Sequence, residues 1–298
     1  MQLPDLESLR CFVAAAERLN FAAAAGAVAI SPQAFSGRIA NLEQALGAQL
    51  FQRTTRKVTL TAAGHRLLPS AKRLLADAGV LPMLVAEDGA HRQVRLKVGT
   101  RFELGMSYLL PNLLKLEHAQ PGRTLDVVFG DSPDLMRSLR DGRVDCVITS
   151  LRLTMPHIAY ATLHREDYTF VGAPELLGTA PLACAADARK HVLLDTLPSL
   201  PLFRYFLDAA PGDAAWSFAR TRHLGAIAAV RHLAVAGAGV GVLPAYFVAE
   251  DMARGALQPV MPEVVLNHDF FRLIWNDGHV LADEFVALAR DLAHHPLQ

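Results

Sequence analysis

Two groups of residues in this chain have side chains and spacings suited to recognition rather than to bond-making. The first lies between Ser31 and Lys57. Gln33, Ser36, Gly37, Arg38 and Asn41 fall between the apolar positions Ala34, Phe35, Ile39, Leu42 and Leu46. They therefore share the outer face of a helix whose apolar stripe recurs at three and four residues. An amide and a guanidinium on such a face can meet the donor and acceptor edges of bases in a major groove. Arg53, Arg56 and Lys57 follow in one short basic segment and suit phosphate oxygens. The second group is dispersed. Arg101 and Arg204 could each hold a small carboxylate through paired hydrogen bonds.

The elements that must position the first group can be read directly. Ser31 is a favoured N-cap, and Pro32 at the first helical position arrives with the right φ. Gly47 is placed to stop the helix. Before it, Ala22 to Ala29 is almost all alanine and glycine, which lets a neighbouring helix cross closely, as a helix-turn-helix corner requires. An earlier helix, capped by Asp5, turns Leu6, Leu9, Phe12, Val13, Ala16 and Leu19 inward. After it, Val58 and Leu60 alternate behind the basic segment, which predicts a two-stranded ribbon with a basic tip, a wing.

The stretch from Asn20 to Gly64 resembles the N-terminal signature of LysR-type transcriptional regulators. In that pattern a helix of the form SF-x-x-AA-x-x-L precedes a serine-capped recognition helix, then LE-x-x-LG-x-x-LF-x-R, a wing, and L-T-x-x-G. Phe21, Ala24, Ala25, Ser31, Ser36, Ile39, Leu42, Glu43, Leu46, Gly47, Leu50, Phe51, Arg53, Leu60, Thr61 and Gly64 fall in register. Asn20 stands where Ser is common and Val28 where Leu is. Gly37 stands where many members carry an Arg that reaches DNA, which moves base readout toward Gln33 and Arg38. The resemblance implies a sequence-specific regulator that binds double-stranded promoter DNA through Ser31, Pro32, Gln33, Ser36, Gly37, Arg38, Arg53, Arg56 and Lys57.

Thr61 caps a further helix in which Leu67, Ala71, Leu74, Ala78, Leu81 and Val85 follow a heptad seam. Gly79 and Pro82 are expected to mark its frayed end, and Glu87 to Arg92 the hinge beyond it. The resemblance implies a linker helix that pairs two subunits. From Val94 strands and helices alternate, which predicts a parallel sheet with helices on both faces. Cys146 lies in the third strand, and "DLMRSLRDGRVDCVIT" and "VAGAGVGVLPAYF" again resemble family stretches. The fold class expected is α/β: an N-terminal winged helix-turn-helix, a long linker helix, and a periplasmic-binding-protein-like two-lobed effector domain. The expected domains are 1–60, 61–90 and 91–298, with lobe I at about 94–160 and 268–298 and lobe II at about 161–267.

Ligands of open α/β sheets bind beyond the carboxyl ends of strands. The expected crevice is therefore lined by Thr100, Arg101 and Phe102, by Asp131 and Ser132, by Thr149 and Ser150, and from the second lobe by Phe203, Arg204 and Leu224. A small-molecule effector, a carboxylate being the suggestion of the two arginines, would sit there.

The whole chain narrows the alternatives. Over 298 residues the formal net charge is zero, but residues 1–66 hold seven Lys/Arg against four Asp/Glu, and the rest 22 against 25. Mild positive charge gathered on the DNA-reading end fits a selective reader better than a protein that coats nucleic acid. Three dispersed cysteines, each in an apolar run, and no C-x-x-C pair predict a reduced cytoplasm. No apolar run approaches a membrane span. The glycines of Gly237-Ala238-Gly239-Val240-Gly241 end a helix and open a strand, the reverse of a dinucleotide loop. No nucleophile elbow, phosphate loop or metal-ligand spacing is present, so catalytic residues, metal and cofactor are all expected to be none. A homodimer or homotetramer is implied by the resemblance. Two other classes compete: an α/β enzyme or solute-binding protein with an N-terminal module, and a scaffold that oligomerises without reading DNA.

Overall fold

Asp5, Asn20 and Ser31 each accept a backbone N–H from three residues ahead, at 2.9, 3.0 and 3.2 Å, and so start three helices. These are α1 (Leu6–Arg18), α2 (Phe21–Ala27) and α3 (Pro32–Leu46). They belong to a computed structural model that describes residues 3–53, 57–84, 93–151, 156–210 and 215–297. Asn20 thus does the capping work of the serine more common there. Ala24 and Ala25 are buried where α2 meets its neighbours. Phe35, Ile39 and Leu42 bury one face of α3, while Ala34, expected on that stripe, is exposed. In the first turn it points away from the three-helix core. Leu6 and Leu19, at the two ends of α1, are also exposed.

Strands β1 (Phe51–Arg53) and β2 (Val58–Leu60) pair antiparallel, Phe51 opposite Leu60 and Arg53 opposite Val58. The wing tip, with Arg56, lies outside the described residues, as do Val85 and the hinge at Glu87 to Arg92. Glu43 ties the ribbon to α3, its Oε1 accepting the N–H groups of Leu50 at 2.7 Å and Phe51 at 3.1 Å. Gly64 is required at the next junction, since a Cβ there would stand 2.3 Å from the Leu50 carbonyl oxygen.

Thr61 caps α4 (Ala62–Leu84) through its hydroxyl, which accepts the Gly64 N–H at 3.1 Å. The helix runs through Pro69, Gly79 and Pro82 rather than fraying at Gly79. The expected heptad seam divides. Leu67, Leu68, Ala71 and Leu75 pack on the N-terminal core and Val80 on the next domain's core, while Leu74 and Leu81 stay about half exposed.

The remaining chain forms two five-stranded sheets. The first has the order β4-β3-β5-β12-β6, from β3 (Val94–Thr100), β4 (Arg123–Phe129), β5 (Cys146–Thr149), β6 (Ile158–Glu166) and β12 (Asp269–Asn276). Its helices are α5 (Phe102–Leu104), running through a wide turn into α6 (Leu110–Ala119), then α7 (Ser132–Arg140) and α12 (Ala282–Ala293). The second has the order β11-β7-β10-β8-β9, from β7 (Tyr168–Gly172), β8 (Val192–Asp195), β9 (Arg220–His223), β10 (Val240–Pro244) and β11 (Gln258–Pro259). Its helices are α8 (Pro174–Thr179), α9 (Phe203–Leu207), α10 (Ile227–Val235) and α11 (Ala245–Ala253).

Both sheets are mixed, not parallel as the alternation predicted. β12 runs antiparallel to β5 and β6, and β7 antiparallel to β10, because the chain crosses between lobes twice and returns reversed. The first crossing falls after Glu166, not near residue 160, since β6 stays paired with β12 as far as Asp269 opposite Glu166. Gly239 lies where a Cβ would be 2.4 Å from the Val192 carbonyl oxygen. The glycine run therefore serves close strand packing between α10 and β10.

Candidate DNA-reading face and ligand cleft

On α3, Gln33 and Gly37 are exposed and Ser36 half-buried, with Ser31 and Pro32 forming the start of the helix. A Cβ built on Gly37 meets nothing within 4 Å, so the missing side chain leaves open space on the reading face. Arg38 is not wholly given to solvent. Its guanidinium lies 3.3 Å from Oδ1 of Asp5, the residue that also caps α1. Arg53 sits 4.3 Å over the Phe21 ring and 3.7 Å from Glu43. It is thereby aimed along the wing rather than left loose. Lys57 is exposed at the far side of the ribbon. Phe12, Phe21, Phe35 and Phe51 pack beneath this surface at 5.3 to 5.6 Å, Phe21 edge to face on Phe35 and Phe51 and Phe12 tilted on Phe51, which fixes α3 relative to the wing.

Between the two sheets lies a cavity of about 490 Å³, within the usual range for small-molecule sites. Of the residues expected there, Arg101, Ser132, Ser150 and Arg204 line it. Thr100 and Thr149 end their strands buried beneath it. Asp131 turns away to cap α7, accepting the Asp134 N–H at 3.1 Å. Phe102 is exposed, its ring 5.8 Å from Phe129. Phe203 is a correction: it belongs to the core of lobe II, packed on Phe170, Phe206 and Phe218, because the first turn of α9 faces inward. Leu224 packs against that same core.

Sequence reasoning missed Leu151, Tyr168, Thr196, Pro201, Leu202, Tyr205, Asp208, Ile227, Asn267 and Asp269, which complete the wall. Most come from the second lobe and from the two crossings, although Thr196 directly follows the end of β8. The hinge could be found only once β6 was recognised. Asp195 explains how the loop from Thr196 to Phe203 is held. Fully buried, it accepts N–H groups from Thr196 at 2.6 Å, Leu202 at 3.4 Å and Phe203 at 2.9 Å.

Charge in the cleft is largely committed. Arg101 donates to Glu166 Oε1 at 3.1 Å, and Glu166 is wholly buried behind it. Burial, the largest influence, works against the Arg101 charge, and Glu166, Tyr246, Tyr168 and Glu103 together more than offset it and keep the guanidinium ionised. Among the described residues Oε2 of Glu166 has no hydrogen-bond partner. Arg204 is exposed, with Nε 3.9 Å from Asp208 one turn on. Tyr168 and Tyr205 stack at 3.8 Å, and the Tyr205 hydroxyl donates to Asp269 at 3.0 Å. Burial, with the Asp269 carboxylate beside it, pushes the Tyr205 phenol up to about 12. Cys11 and Cys146 are buried, but Cys184, expected in core, is exposed and donates to Asp187 at 3.4 Å. Among the described residues no three His, Cys, Asp or Glu side chains are grouped to hold a metal ion, and no helix is long and apolar enough to cross a membrane.

A winged helix-turn-helix joined by one helix to a two-lobed cleft domain defines a DNA-binding protein with a built-in ligand module. Comparison with known proteins agrees. Residues 6–65 match the bacterial regulatory helix-turn-helix protein, lysR family, and residues 88–295 the LysR substrate binding domain. The chain belongs to the LysR family of transcriptional regulators, which are not enzymes. It is 31% identical over 251 residues to a probable hydrogen peroxide-inducible genes activator of Streptomyces viridosporus, covering 81% of this chain and 78% of that one. It is also 31% identical over 304 residues to the HTH-type transcriptional regulator AbaB of Streptomyces antibioticus, covering 98% of each. Among solved structures, ArgP from Mycobacterium tuberculosis shares the fold with a TM-score of 0.76 at 22% identity, over 98% of both chains.

Proposed function

We propose that this protein binds a specific promoter as a homodimer or homotetramer in the cytoplasm, and that a small molecule in the cleft between its lobes changes how the subunits are arranged. In this reading residues 1–60 read DNA, 61–90 pair subunits and 91–298 take the effector. The observation that carries it is the cavity of about 490 Å³ in the same chain as an exposed, serine-capped helix face. Gln33 reads bases, with Ser36 and Arg38 beside it, and Arg53, Arg56 and Lys57 hold phosphates. Leu74 and Leu81, seven residues apart on α4 and about half exposed, suit a partner helix. In the cleft, Arg101, Ser132, Ser150 and Arg204 would receive the acidic end of the effector.

The name of the Streptomyces viridosporus relative raises peroxide as a different signal. The thiols here support a ligand instead. Burial pushes Cys11 and Cys146 up, away from the reactive thiolate, and the hydrogen-bond partner of Cys184 is a carboxylate, whereas reactive cysteines sit beside cations.

The test is binding of the DNA upstream of its own gene, measured by fluorescence polarisation with and without a panel of small acids and amino acids. Ser150→Trp, which fills the cleft, should abolish any response to the panel while leaving binding to DNA in place. A response that survives Ser150→Trp would put the effector elsewhere. A peroxide response lost in Cys184→Ser would favour the thiol reading.

A further inference from the structure

Asp5 starts α1, yet one of its contacts lies 33 residues further on, at Arg38 in the middle of α3. Its carboxylate is fixed before Arg38 reaches it. Oδ1 accepts the Ser8 N–H at 2.9 Å and Oδ2 the Ser8 hydroxyl at 2.7 Å, so each oxygen is tied to the first turn of α1. The Ser8 hydrogen bonds, with the Arg38 charge beside them, hold the carboxyl below the usual carboxylate range. Arg38 Nη1 meets the anchored Oδ1 at 3.3 Å. The two side chains are 42% and 62% exposed, and so open a pair adds little to stability. Its consequence is orientation. A loose arginine gives up rotamer freedom when it binds, whereas a tethered one has already lost part of it.

The place of Arg38 gives that orientation a use. Gly37, the residue before it, is exposed, and a Cβ built there meets nothing within 4 Å. Open space therefore borders Arg38, with Gln33 one turn back on the same helix. A guanidinium carries several N–H donors in a planar fork. The bond through Nη1 leaves the others for O6 and N7 of a guanine, the commonest base contact of an arginine. A carboxylate behind an arginine then acts as outer groups act in other recognition sites, by holding the contacting group in its productive geometry. Resting on the reading that α3 enters the major groove, we propose that Asp5 is a positioning residue for base recognition. From the N-cap of α1 it holds Arg38 ready for a guanine and sharpens the choice of that base.

The full-length protein and its Arg38→Ala, Asp5→Asn and Asp5→Ser variants are each selected against a pool of randomised DNA duplexes, and the base preference at every position is read by sequencing. Asn and Ser cap helices about as well as Asp, so both Asp5 variants should keep the thermal midpoint of the parent, and either one suffices if the other does not fold. Arg38→Ala should erase a preference for guanine at one base pair. Asp5→Asn and Asp5→Ser should weaken the preference at that same base pair by about fivefold and leave the other positions unchanged. Adding either to Arg38→Ala should cause no further loss. If Arg38→Ala erases a preference that the Asp5 variants keep, or if those variants change affinity for all duplexes alike, the inference falls and the reading of α3 stands. If Arg38→Ala alters no preference while Gln33→Ala does, the inference again falls alone. If the parent protein selects no sequence, both fall.

Discussion

Arg53 and Arg101 are both cations drawn into contacts within the protein, but to different ends. The Phe21 ring and Glu43 hold Arg53 at the base of the wing while leaving it two-fifths exposed, so its charge remains available to a phosphate. Arg53→Ala should weaken binding to all DNA sequences and lower the slope of log affinity against log salt by about one. An unchanged slope would remove Arg53 from the phosphate contacts. Gln33 should behave differently: with base readout proposed for its amide, Gln33→Ala should alter preference among sites more than overall affinity. His191 makes a prediction of another kind. It is buried, and burial pushes its imidazole below the usual range. The unfolded chain accepts a proton that the folded protein resists. That contribution to stability is present above about pH 6.5 and is lost as pH falls below it. The thermal midpoint should drop between pH 7.5 and 5.5, and less steeply in His191→Leu; equal slopes would exclude His191 as the source.

At the scale of elements, the helix caps were legible because they are local. Asp5, Asn20, Ser31 and Thr61 each cap the helix whose start they announce. The strand β6 was not, since its alternation of Tyr160, Thr162 and His164 with Ala159, Ala161 and Leu163 depends on pairing with β12, more than a hundred residues away. Missing it hid the hinge and with it Tyr168, Asn267 and Asp269 of the cleft wall. The seam of α4 was legible as apolar spacing, but not the division of that spacing among two cores and an exposed stripe. Two predictions follow from these helices. Gly37→Arg fits without a clash and replaces a residue that costs an exposed helix interior about 1 kcal/mol; it should raise both the thermal midpoint and DNA affinity. Weaker DNA binding would mean the position faces away from the groove. Leu74→Asp with Leu81→Asp should convert dimers to monomers in sedimentation velocity, and dimers that persist would place the subunit contact elsewhere.

Over the whole molecule, the α4 helix joins what reads DNA to what holds a ligand. It packs on the N-terminal core through Leu67, Leu68 and Ala71 and on the first lobe through Val80. Lys72 holds Glu17 of α1 at 2.8 Å. A change in the angle between lobes can therefore reach the reading helices through a rigid element, provided the ligand binds one arrangement better than the other. The most direct test is fluorescence-polarisation binding to the DNA upstream of its own gene, over a salt series, with and without the panel of small acids and amino acids. The account predicts salt-dependent binding that survives excess random competitor and shifts when a member of that panel is added. Binding to that DNA no tighter than to random sequence, in both conditions, would contradict it.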